Sequence, residues 1–371
     1  MEYLRDLEKI CRINSFTQNK NGVDKVGEQM IEWLEDIGFT TEIHERASIG
    51  NHLLFLSPKV KGEKILLLGH NDTVFPEGKF EEYREDDFWV YGAGVCDMKG
   101  GNIVALEALK EIYKKNKKIV NIDFLLVSDE ESGSDNSKFL TLKIAKNYDY
   151  CFVFEAAGEN LEVVTGRKGV GTFTISIEGK ASHAGTSYTK GINANLEASY
   201  KLIELTKLTN LKMGTTVNVG MINGGIGANT ISPSSNLKVE IRYKTDKERD
   251  RLLKALDDIT AKSFVEGTVS KLDGLIQRDV MQPSIKQDKL IEKLEKITQY
   301  NIPMEQRGGV SDANHVASCG VVTLDGFGPF GDGDHTIKER ALKSSFNQRI
   351  EMMSSILEYH QSYKSFKLQS L

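Results

Sequence analysis

The chain has 371 residues, 39% hydrophobic and 27% charged, a globular balance long enough for two domains or one domain carrying an insertion. A formal charge of -5, a pI near 5.9 and no basic cluster interleaved with aromatics exclude a nucleic-acid footprint. Nowhere do about 18 apolar residues run together, so no membrane span is expected.

Cys11, Cys96, Cys151 and Cys319 are scattered with no CxxC pair, which points to free thiols in a reducing compartment. The N-terminus, MEYLRDLEKICRINS, reads as a charged amphipathic helix and not as a signal peptide, so a cytoplasmic protein is expected. Val26, Met30, Trp33 and Ile37 then recur at helical spacing, and Gly38 stops them. KILLLGH (64–70) is a short buried strand that ends at His70, with Asp72 two residues beyond. Ligands of open α/β sheets bind outside the carboxyl ends of strands, and a nearby carboxylate can hold an imidazole in one tautomer. In YGAGVCDMKGG (91–101) four glycines frame Asp97 and lead into a helix over 102–115; the phosphate-loop signature is absent. The KKNKK run (114–118) reads as a solvated helix end. The strand NIDFLLVS runs into VSDEESGS (127–134), where Asp129, Glu130 and Glu131 stand side by side, and YDYCFVFEA closes on Glu155. Buried apolar runs separated by helices predict a mostly parallel sheet covered on both faces.

Near residue 166 the texture changes. Segments 171–179 and 237–243 alternate apolar and polar residues, and helices are predicted over 193–208 and 246–264. Two helices on one face of an antiparallel sheet would make a compact α+β domain. After residue 280 the first texture returns, with helices over 285–299 and 311–319, a strand over 321–325 and a final helix over 343–363. The α/β domain is therefore drawn from 1–165 and 280–371, with the α+β domain inserted at 166–279.

Three strands thus end in a metal-capable side chain, His70, Glu131 and Glu155, with Asp97 at a helix entrance between them. DGFGPFGDGDHT adds His335 in a glycine-rich loop. Two imidazoles with three carboxylates suit zinc and, less selectively, cobalt or manganese. Five ligands exceed what one catalytic zinc takes; they suit two ions about 3.5–4 Å apart that share a carboxylate. At a turn, one of the adjacent glutamates can bind metal while Glu130 serves as general base. Asp129 is left with a turn or hydrogen-bonding role. His315 reads as a packing residue, and His44, His52 and His360 as surface residues.

With these residues in place, the chain resembles the co-catalytic zinc aminoacylase/carboxypeptidase family, which includes acetylornithine deacetylase, succinyl-diaminopimelate desuccinylase and a folate-cleaving glutamate carboxypeptidase. The matching segments are LLLGHNDTVFP, YGAGVCDMKGGNIVAL, VSDEESGS, FVFEAA, TGRKGVGTFTISIEGKASHAG, GGIGANTISP, GGVSDANHVASCG and GDGDHT, in family order. TGRKG, ASHAG and GINA look most like the glutamate carboxypeptidase branch. The resemblance implies His70 and Glu155 on one zinc, Glu131 and His335 on the other, Asp97 bridging, Glu130 as base and Asp72 orienting His70. It makes 166–279 a lid and dimerisation domain, in which His183 reaches the partner subunit's active site and polarises the scissile carbonyl. Asn229 and Arg242 match positions that hold the substrate's free carboxylate. The implied activity is hydrolysis of an amide or peptide bond beside a free carboxylate by a homodimer. The alternatives are an N-acyl-amino-acid deacylase, a small-peptide peptidase, or a non-catalytic metal-binding homologue, which would have no need of Glu130.

Overall fold

The structure is a computed structural model that describes residues 2–366 and 368. It divides into two compact units: one is the chain up to Gly166 with Pro283–Arg307 and from Ser311 onward, the other Arg167–Gln282 with Gly308–Val310.

In the first unit six strands form one sheet, ordered Thr40–His44, His52–Leu56, Ile122–Val127, Ile65–His70, Tyr150–Val153 and Val322–Leu324. The last four are parallel, and the first two add antiparallel pairs at one edge. Ile65–His70 and Ile122–Val127 are buried at every position, as strands covered on both faces must be. Register then decides what meets at the sheet edge. His70 stands opposite Val127 and Leu68 opposite Val153, so His70, the acid run and Glu155 all leave the sheet at one carboxyl edge.

The helix expected from residue 102 begins instead at Lys99 and ends at Asn116. Gly100 and Gly101, read as turn residues, lie in its first turn. A Cβ on Gly101 would stand 1.8 Å from the Phe154 carbonyl oxygen, so glycine alone lets this helix press on the strand's end. The final helix, Lys343–Tyr363, packs along Lys99–Asn116 and buries Met353, Ile356 and Leu357 in a core with Leu106 and Leu109.

Two histidines depart from expectation: His52 and His360 are buried, not exposed. His52 Nε2 lies 3.3 Å from Asn136 Oδ1, and His360 Nε2 lies 2.9 Å from the Glu63 carbonyl oxygen. Short-range pattern does not reveal this burial, because a buried imidazole needs only a polar partner, and both partners come from distant segments. Burial lowers the pKa of each, His360 to about 4, so both are neutral at pH 7.

The second unit holds a four-stranded antiparallel sheet, ordered Thr216–Gly224, Ser234–Tyr243, Gly169–Glu178 and Val269–Arg278. Helices Ala194–Thr206 and Asp246–Ala261 pack on it over Ile175, Leu237, Val239 and Ile241. The two inner strands are the ones legible from alternation. The outer two, Thr216–Gly224 and Val269–Arg278, lie at the sheet's margins and are mostly exposed. Among the described residues no helix is long and apolar enough to cross a membrane.

Candidate active site

Asp97 is the centre of the site. Its Oδ1 lies 3.2 Å from His70 Nε2, and its Oδ2 lies 3.2 Å from His335 Nε2. Glu155 Oε1 is 3.8 Å from His70 Nε2, and Glu131 Oε2 is 3.1 Å from His335 Nε2. The five side chains form two groups sharing one carboxylate, His70–Asp97–Glu155 and Asp97–Glu131–His335, with donor atoms in each within 4.8 Å of one another.

The acid run is a turn, not a strand end. Glu130–Ser132 makes one 3-10 turn, in which successive side chains diverge by about 120°. Glu131 reaches His335, and the Glu130 charge acts on both Glu131 and Glu155. Asp72 grips the turn: Glu130 N–H donates to its Oδ1 and Glu131 N–H to its Oδ2, each at 3.2 Å. The Thr17 hydroxyl also donates to Asp72 Oδ2, at 2.6 Å. Facing His70 Nδ1 are the Asp72 carbonyl oxygen at 2.9 Å and its carboxylate at 3.4 Å. Nδ1 is therefore the donor, and Nε2 is left to accept a cation beside Asp97 and Glu155. Asp129, buried, accepts N–H groups of Asn136 at 2.8 Å and Ser137 at 3.3 Å and so closes the turn.

Sequence reasoning missed Glu339. Its buried carboxylate accepts main-chain N–H groups from Gly94, Cys96 and Asp97, all at 3.0 Å. An acid four residues beyond His335 was the available signal. Thr17 carried none, because its contact spans 55 residues.

Electrostatics test whether the donors fit a metal. Burial works to lower the His70 pKa, but Asp72, Asp97 and Glu155 raise it well above the usual imidazole value. Asp97 and Glu131 raise His335 to about 11. Burial, then the Asp97 charge, pushes Glu131 up to about 7 and Glu155 well above the carboxylate range. Among the described residues, the ion pairs of Asp97, Glu131 and Glu155 are all with the two imidazoles. Those imidazoles are cationic only by taking protons. Divalent cations would replace the protons and offset the carboxylate repulsion, so the residues fit metal ions.

The second unit places the other candidates. His183 is exposed, and its Nδ1 accepts N–H groups of Gly185 at 3.1 Å and Thr186 at 3.2 Å, which leaves Nε2–H as a donor. Asn229 lies beside it, its carbonyl oxygen accepting Ala184 N–H at 2.9 Å. Arg242 is not with them. Asn229 precedes the strand Ser234–Tyr243, and Arg242 is the last residue but one of it, about 26 Å away at the usual rise. Within one copy of the chain the two cannot hold the same carboxylate. Arg242 Nε instead donates to Glu240 Oε1 at 2.8 Å, and its NH1 donates to the Gly308 carbonyl at 3.2 Å.

A family model, Peptidase family M20/M25/M40, matches residues 66–359. Carboxypeptidase G2 of Pseudomonas sp. (strain RS-16) is 27% identical over 367 residues, spanning 95% of this chain and 88% of that protein. Acetylornithine deacetylase of Vibrio parahaemolyticus is 30% identical over 264 residues, spanning 65% of this chain and 68% of that protein. Among solved structures, aminopeptidase PepT of Bacillus cereus ATCC 10987 shares the fold with a TM-score of 0.80 at 19% identity, over 96% of this chain and 97% of that one. The chain belongs to Peptidase family M20/M25/M40 and is a metal-dependent hydrolase.

Proposed function

We propose that the protein is a two-zinc hydrolase that cleaves an amide or peptide bond beside a free carboxylate, as a carboxypeptidase does. The observation that carries this reading is Asp97 with one oxygen toward each histidine and Glu130 in the adjoining turn. Zinc ions held by His70, Asp97 and Glu155 and by Asp97, Glu131 and His335 would polarise the scissile carbonyl and acidify water. Glu130 takes the proton from the attacking water and returns it to the leaving amine. Asp72 keeps His70 in one tautomer while holding the turn that carries Glu130. His183 of the partner subunit donates through Nε2–H to the carbonyl oxygen as negative charge builds there. The planar fork of Arg242 suits the substrate's carboxylate, which must displace Glu240 from it.

Hydrolysis of N-acyl amino acids, dipeptides and folyl-glutamate analogues tests the reading, with zinc, cobalt or manganese restored to chelated protein. Blocking the substrate's free carboxylate is expected to lower kcat/KM by roughly 10–100-fold, the value of one charge-assisted contact. Equal rates for blocked and free substrates would remove the carboxypeptidase reading. A second reading, an N-acyl-amino-acid deacylase, is favoured by the acetylornithine deacetylase relative and by the Glu240 partner already on Arg242. The same screen separates the two.

The working form we propose is a homodimer joined through the second unit. Met221 and Ile222 of the marginal strand are exposed, as are Leu196, Tyr200 and Ile203 along the helix packed against it. In such a dimer His183 of one copy would serve the active site of the other. Sedimentation equilibrium is expected to give twice 41.4 kDa, and Ile203→Glu to shift that mass toward the monomer. A monomer at micromolar concentration would rule this out. The free cysteines, three of them buried, suit a cytoplasmic location, which cell fractionation reads directly.

A further inference from the structure

The loop that presents Asp97 has few side-chain anchors of its own. Gly92 and Gly94 precede it, and the helix with the tightly packed Gly100 and Gly101 follows. What holds it comes from 242 residues away. Glu339 is 1% exposed. Its Oε1 accepts the Cys96 and Asp97 N–H groups and its Oε2 accepts the Gly94 N–H, each at 3.0 Å. The backbone on either side is matched as well. Gly92 N–H donates to the Glu339 carbonyl at 3.4 Å, and Arg340–Leu342 pairs antiparallel with Trp89–Tyr91. The Cys96 thiol reaches Asp334 Oδ1 at 3.3 Å, beside His335. One segment, 331–342, thus supplies both His335 and the clamp on Asp97.

We propose that Glu339 is the positioning carboxylate of the metal centre: it gathers three converging N–H groups and so aims one oxygen of Asp97 at each histidine. This rests on the two-metal reading above. Burial, then the Asp97 charge, pushes Glu339 up to about 8, while the three N–H groups act the other way; with both oxygens accepting, a carboxylate matches three inward N–H groups. A glutamine keeps one oxygen but turns an NH2 toward Gly94 N–H or toward Cys96 and Asp97, leaving buried N–H groups unpaired. Because Asp97 belongs to both groups, displacing it loosens both sites together. A ligand such as Glu131 or Glu155 belongs to one group only.

The test uses full-length wild type, Glu339→Gln and Glu339→Asp. Cobalt affinity for each equivalent is measured by competition with a chromophoric chelator, alongside the cobalt absorption spectrum and the melting temperature of metal-free protein. Glu339→Gln is expected to weaken both equivalents by about 10–100-fold, the usual cost of losing a partner behind a ligand, and to alter the cobalt bands. Glu339→Asp keeps the charge with a shorter reach and should recover part of the loss. If Glu339→Gln does not fold, Glu339→Asp still reads the effect, as a weakening of both equivalents relative to wild type. Unchanged affinity, a loss confined to one equivalent, or a lower melting temperature with affinity and spectrum intact would each overturn the proposal. Fewer than two equivalents in the wild type would defeat the two-metal reading instead, and Glu339 would then stand or fall on the affinity of the remaining ion.

Discussion

Glu130→Ala is expected to lower kcat by about 10²- to 10⁴-fold while two metal equivalents stay bound. The reason is a division of labour within one turn. Glu131 belongs to a metal-capable group and Glu130 to neither. The turn itself is held through main-chain N–H groups donated to Asp72, and truncating the Glu130 side chain leaves these in place. Glu130→Gln should fall as far, since an amide of the same size cannot take up the proton. Steady-state rates and metal analysis on the same samples check this. Full turnover in either variant would sink the general-base role, and metal lost in step with rate would make Glu130 a ligand instead.

Asp97→Ala should have the other large effect: both metal equivalents are lost on dialysis and turnover falls to background. Asp97 alone of the five belongs to both groups. Without it, His70 and His335 each lose a carboxylate now 3.2 Å from Nε2. Two cations close together would also lose the anion between them, so each would repel the other more strongly. Glu131→Ala and Glu155→Ala remove a donor from one group apiece and should leave the other equivalent measurable. Metal content after dialysis against metal-free buffer decides it. An Asp97→Ala protein that retains one equivalent at wild-type affinity would exclude a shared carboxylate.

What could be read along the chain was whatever short-range pattern records. ILLLGH, IDFLLV and YCFV announce buried strands because both faces are covered, and the residues that close or soon follow each run therefore sit at a sheet edge. That is how His70, Glu131 and Glu155 become candidates before any fold is known. Pattern fails where burial is one-sided or the partner is remote. Thr216–Gly224 and Val269–Arg278 lie at the margins of their sheet and are mostly exposed. His52 and His360 read as surface residues yet are buried against Asn136 and Glu63, which lie far off in the chain. Gly100 and Gly101 look like a turn because glycine breaks helices on average, but here the close approach of Phe154 outweighs that preference.

The sequence by itself determined the residue types of the site, their places at strand ends and loops, and the family they resemble. Tertiary structure decided their relations. Strand register set His70, the acid turn and Glu155 on one edge. Asp72 joined the His70 ring to a turn 58 residues on, and Glu339 fixed the Asp97 loop from 242 residues away. Asn229 and Arg242, equal candidates on paper, were sent to opposite ends of one strand's path. The physical reason is the same throughout: periodicity reports which way a side chain faces, whereas which polar groups share a buried hydrogen bond depends on how distant segments pack.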